Sequence, residues 1–155
     1  MKTKIGNVQL YDIYEGVLFQ RGKLHNFTYE EKKEFISLSG VSVIFGLAGN
    51  MDEDLATIPE LKYYQYYSIP DNKLSEHDAK ALNKIAKKLA SYILNGEIVL
   101  VHCNAGRNRS GLLNAMIIVN LIECTGSEAI EIVRNERPNA LANDNFVLFL
   151  ENYVR

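Results

Sequence analysis

Cys103 and Arg109 stand six positions apart in the stretch VLVHCNAGRNRSG, Val99 to Gly111, where this 155-residue chain gathers its most reactive side chains. The run before Cys103 is apolar and the run after Arg109 is apolar again, so the loop between them joins a buried strand to a buried helix. Such a junction is an anion site by construction. The first amides of a helix lack intrahelical partners, and the helix dipole adds positive potential at the same place. Gly106 permits a turn with positive φ, letting successive amides of the loop converge on one point. Arg109 offers a planar fork matched to two oxygens of a phosphate. The same field lowers the pKa of a thiol at the start of the loop. The predicted arrangement is a nucleophilic Cys103 sulfur beneath a cradled phosphate, with His102 behind it and Ser110 beyond Arg109.

Other uses of the thiol fit poorly. Cys103 and Cys124 are the only two cysteines, too few for a disulfide framework. Zinc asks for about four clustered ligands, and three scattered histidines with two distant cysteines do not supply them. Cys124 lies 21 residues beyond Cys103, near the far end of the following buried helix and roughly 20 Å from the loop at ~1.5 Å per helical residue, so its expected role is packing. No cofactor and no metal is expected. The chain is 47% hydrophobic and 23% charged, with a net charge of −2, which argues against a general nucleic-acid or membrane-surface binder. The N-terminus MKTKIGNVQL lacks the apolar core of a secretory signal, so a cytoplasmic location is expected.

The flanking sequence shows what must hold the loop in place. VQLYDIYEG and VLFQRG read as a short extended pair. Thr28 and Glu31 form a capping box for a helix that stops at Gly40. VSVIFGL is a buried strand, NMDED a solvated loop, and KYYQYYSI an aromatic strand running toward Pro70. Ser75 to Asn95 has the period of an amphipathic helix, ended by Gly96, and EIVLVH is a strongly apolar strand. SGLLNAMIIVNLIEC is apolar almost all round and is expected to be a core helix ending at Gly126. A helix begun by Thr125 or Ser127 with Glu128 stops before Pro138, and Asn143 caps a last one. Strands alternating with helices predict one α/β domain over residues 1–155: a central, mostly parallel sheet flanked by helices.

HCNAGRNRSG resembles the signature of the cysteine-dependent protein phosphatases, Cys-x5-Arg followed by Ser or Thr. Beyond it GVSVIFGL, YYSIPDN, GEIVLVHC and RNERPNALANDNFVLFLENY are similar to segments of the dual-specificity members, so the resemblance covers roughly Val8 to Val154. It implies a metal-independent hydrolase of phosphate monoesters in proteins. Cys103 would form a phosphocysteine, and Arg109 with the amides of Asn104, Ala105, Gly106, Arg107, Asn108 and Arg109 would bind the phosphoryl oxygens. Ser110 would help the sulfur leave, and His102 would support the loop and the ionised thiol.

The leaving oxygen needs a proton, and the family places an aspartate some thirty residues before the cysteine, just after a strand. Asp71 in SIPDN lies 32 residues before Cys103. Asp78 is the rival, but a capping role behind Ser75 accounts for it. The chain has no tryptophan and no room for the phosphotyrosine-clamping loop of the larger tyrosine-specific enzymes, so a shallower pocket is implied. The partner expected is a phosphorylated protein or peptide, with phosphoinositide or RNA 5′-phosphate hydrolysis as the alternative. Asn-Ala after Cys103, where RNA-acting members carry Thr-His, weighs against nucleic acid. Arg107, a second cation in the loop, suits an additional phosphate or else plain solvation. Ala142-Asn143 replaces the family's Pro-Asn near the last helix, a difference read as affecting only a cap.

Overall fold

The computed structural model describes residues 1–155. Six strands form one sheet in the order β1-β2-β3-β6-β4-β5. They are β1 (Lys2–Ile5), β2 (Val8–Tyr14), β3 (Leu18–Arg21), β4 (Val43–Gly46), β5 (Tyr63–Tyr66) and β6 (Val99–His102). β3, β6, β4 and β5 are parallel, while β1, β2 and β3 are joined as antiparallel neighbours. The α/β sheet expected from the sequence is therefore present, with an antiparallel margin. β1 was not foreseen, because its Lys-Thr-Lys pattern carries no apolar face of its own.

β6 lies between β3 and β4 and all four of its residues are buried. Alternation sends its side chains to opposite faces. Val99 and Val101 enter a core of 28 buried residues, and Leu100 enters a second core of 11. Helices α3 (Glu76–Leu94), α4 (Arg109–Ile122), α5 (Gly126–Glu136) and α6 (Asp144–Glu151) contribute to the larger core. The smaller one lies under α1 (Tyr29–Ser39) and the single-turn α2 (Glu53–Ala56). The resulting three layers are unequal, with the heavier helical layer on the side of α4.

Most local signals act as read. The Thr28–Glu31 capping box starts α1 and Gly40, in the left-handed region, ends it. Ser75 caps α3 and Asn143 caps α6. Two boundaries differ from expectation. NMDED is not an open loop, because Asp52 caps α2 and Lys32 reaches across from α1 to pair with Asp52 and Asp54. The core helix ends at Glu123, not Gly126, and Gly126 is instead the first residue of α5. A side chain at Gly126 would run into the backbone of Leu150, so that glycine serves a helix contact.

α4 explains how a functional loop can sit at a helix start. Every residue from Ser110 to Val119 is buried. Each fully buried Leu or Ile contributes about 1.5–3 kcal/mol, so packing anchors the helix without help from its first turn. Its N-cap, Asn108, makes no side-chain capping bond, although such a bond is typically worth about 1 kcal/mol. The orphan amides of that turn remain available, and the Asn108 side chain is free for other work.

Candidate active site

The loop leaves the carboxyl end of β6 and enters α4, the position at which open α/β sheets present their ligand crevice. Gly106, at φ +67°, packs so closely on Arg21 that any Cβ there would overlap its backbone. The loop is thereby tied down onto β3, and Gly22 and Ala105 form a β-bridge across the same contact.

Cys103 is buried at the loop's start, and its Sγ stands 3.3 Å from the Ser110 hydroxyl. Burial pushes the thiol up. The Ser110 hydroxyl and the backbone amides of Ser110, Arg107 and Gly106 outweigh that and hold it below its ordinary value. His102, the last residue of β6, is buried next to Cys103. Burial drives its imidazole down to about 4, so it is neutral at pH 7, its ring edge-on to Tyr66 at a centroid distance of 6.1 Å.

Arg109 donates from Nη1 to the Ile69 carbonyl at 3.1 Å, and its buried Nε has no protein partner. Nε and Nη2 form one edge of the guanidinium, and this is the edge left for two oxygens of an oxyanion. Arg107 is turned outward, donating to the Asn139 carbonyl at 2.7 Å. Asn104 and Ala105 are exposed on the rim of the loop.

Asp71 is brought to the loop. Asn108 donates to its Oδ2 at 3.0 Å and Asn143 to its Oδ1 at 2.8 Å. Asn108 also accepts from the amides of Ala142 and Asn143, so one side chain ties three segments together. Asn143 is the residue the sequence reading missed. It is more than a cap, because its oxygen accepts the Asn145 and Phe146 amides while its nitrogen grips Asp71. A capping residue that also reaches across 72 positions leaves no periodic mark, so only its Asn identity hinted at it. Asp78 is capped by Ser75 as expected, but its carboxylate accepts the Tyr67 hydroxyl at 2.7 Å and does not close a box. Cys124 packs half-buried against the larger core.

No group of three or more His, Cys, Asp or Glu side chains is placed to hold a metal ion, and no helix is long and apolar enough to cross a membrane. Beside the Cys103–Arg109 loop lies a recess of about 440 Å³ lined by Lys2, Lys4, Arg21 and Arg137 among others, with Ala105 in its wall and no carboxylate.

Three comparisons bear on this geometry. The chain is 28% identical over 102 residues to the human RNA/RNP complex-1-interacting phosphatase, an overlap of 64% of this chain and 30% of that protein. It is 32% identical over 68 residues to the mouse protein tyrosine phosphatase domain-containing protein 1, covering 44% of this chain and 9% of the relative. The matched parts thus span under a third of either relative's length. The crystal structure of human DUSP28 superposes with a TM-score of 0.75 at 17% identity, over 93% of this chain and 91% of that one. The sequence model for the dual specificity phosphatase catalytic domain matches residues 25–155. A buried Cys103 facing Ser110, an Arg109 with a free edge and that match converge on one statement: the chain belongs to the dual specificity phosphatase family.

Proposed function

We propose that this chain hydrolyses phosphate monoesters of proteins, phosphotyrosine together with phosphoserine and phosphothreonine, through a phosphocysteine at Cys103. The observation that carries the reading is the free Nε–Nη2 edge of Arg109 in the same loop as a thiol whose acidity is raised by Ser110 and the loop amides. In the first step the Cys103 thiolate attacks phosphorus, an S–P bond forms, and the ester P–O bond breaks. The leaving oxygen takes a proton from Asp71. In the second, water attacks phosphorus and gives its proton to Asp71, and the sulfur departs as thiolate with the Ser110 hydroxyl donating to it. The loop amides and Arg109 stabilise the equatorial oxygens in both steps. Protonation of Asp71 weakens whichever amide bond the protonated oxygen was accepting, which frees the carboxyl to turn to the leaving group. Arg107, bonded to Asn139, has its charge at the rim of the loop and a minor part in the chemistry.

A second reading, hydrolysis of phosphoinositides or RNA 5′-phosphates, is favoured by the basic recess beside Ala105, which suits a substrate carrying further phosphates. It also draws on a relative whose name includes RNA. The faces of Tyr11 and Phe27 in that recess are already occupied, by Arg137 at 4.7 Å and Arg21 at 5.1 Å. An arginine over one face of each ring leaves less surface for base stacking, which favours the protein reading. The test is vanadate-sensitive phosphate release from phosphotyrosine and phosphothreonine peptides, a phosphoinositide and an RNA 5′-triphosphate, side by side. Higher kcat/KM on the peptides is expected, and a clear preference for lipid or RNA transfers the function to the second reading.

A further inference from the structure

Two amides with no exposed surface lie in the core below the loop, where apolar residues would pack as well. Gln20 on β3 donates from Nε2 to the Gly106 carbonyl at 3.0 Å. Asn114 on α4 donates to Gln20 Oε1 at 2.9 Å and, more weakly, to the Phe19 carbonyl at 3.5 Å. Asn114 Oδ1 is left with no partner, so the pair is maintained at some expense in stability. From outside, Arg137 Nε donates to the same Gly106 carbonyl at 3.2 Å. A trans peptide is planar, with its N–H directed opposite its C=O. Holding the Gly106 carbonyl away from the site therefore turns the Arg107 amide into it, toward the sulfur.

We propose that Gln20 and Asn114 are positioning residues of the active-site loop: the relay Asn114→Gln20→Gly106 locks the Gly106–Arg107 peptide in the orientation that aims the Arg107 amide at Cys103. The inference rests on Cys103 being the nucleophile. The relay adds no charge of its own. The charged groups on or in contact with the loop are Arg109 on α4, Arg137 at the end of α5, Arg21 on β3 and Asp71 on the β5–α3 loop. His102 on β6 is neutral at pH 7. Losing the lock leaves these in place and removes one oriented donor.

The test uses Gln20→Leu/Asn114→Leu, which replaces the whole pair by apolar side chains of similar size and removes the orphan oxygen, in a Cys124→Ser background so that one thiol reports. The pH dependence of iodoacetamide alkylation reads the thiolate without requiring turnover. Its midpoint is expected to rise by about half to one unit, so that alkylation below the midpoint slows about three- to tenfold. With p-nitrophenyl phosphate the acid limb of kcat/KM moves up by the same amount. Thermal unfolding at or above the wild-type temperature verifies the fold. If the double variant does not fold, Gln20→Met removes the donor at constant length and is read the same way. A folded variant whose alkylation curve overlays the wild type overturns the proposal. Absence of wild-type hydrolysis, with a normal alkylation shift, would instead overturn the assigned function and leave the relay standing.

Discussion

The loop from Cys103 to Ser110 and the loop carrying Asp71 meet at the same point but are held by different means. The first is rooted in the core, with Cys103, Gly106 and Ser110 buried and the Gly106 carbonyl bonded from two sides. The second is an exposed segment whose carboxylate is held by two side-chain amides, from Asn108 and Asn143, and by nothing on its own element. A nucleophile and its anion cradle need fixed geometry in both chemical steps. An acid that must give up a proton and take one back needs to be brought close without being immobilised. The contrast predicts that damage to the first loop abolishes function whatever the substrate, while damage to the second depends on the leaving group.

Arg109→Lys gives the largest of the graded effects. A point charge cannot replace the Nε–Nη2 edge, and kcat/KM is expected to fall about 10³-fold with phenolic and alkyl phosphates alike. Asp71→Asn removes the proposed proton donor, with a loss of about 10²-fold expected on alkyl phosphates and little loss on an activated aryl ester. A loss of the same size on both substrates would erase the distinction between the two loops. Asn143→Ser sharpens it further. Serine caps α6 as well as asparagine but does not reach Asp71, so helix stability is retained while poor leaving groups slow about three- to tenfold. An Asn143→Ser variant that treats all leaving groups as the wild type does would reduce Asn143 to a cap.

One effect concerns stability and not turnover. His102 is held at about 4 in the folded protein and near 6.5 when unfolded, so the unfolded chain binds the extra proton first as pH falls. Its contribution is intact above pH 6.5 and is lost as pH drops toward 4, by up to about 3 kcal/mol. Urea midpoints measured at pH 7 and pH 4.5 should show this loss, and His102→Gln should flatten it.

The same contrast governs what could be read from the residues. The strand-loop-helix junction is local: apolar runs on both sides, a glycine, and a Cys-to-Arg spacing that one strand end and one helix start must satisfy. Its elements were accordingly legible, down to the Thr28 and Ser75 caps. That Asp71 lies against the loop was expected only through the family resemblance and its distance from Cys103, because nothing within SIPDN distinguishes an acid from a turn residue. Asn143, Gln20 and Asn114 were not reached. Each acts through a bond to a residue 72 to 94 positions away, and no period or spacing encodes that. Arg107 shows the converse, since a cation within the loop sequence turns out to face Asn139.

The central claim is that phosphate passes through Cys103. Incubating the enzyme with a ³²P-labelled phosphopeptide, quenching in detergent at alkaline pH and mapping the labelled fragment tests it directly. The account predicts transient label on the fragment containing Cys103, none in Cys103→Ser, and no turnover by that variant although it still binds the phosphopeptide. Label on another residue, or phosphate release by Cys103→Ser, would contradict it.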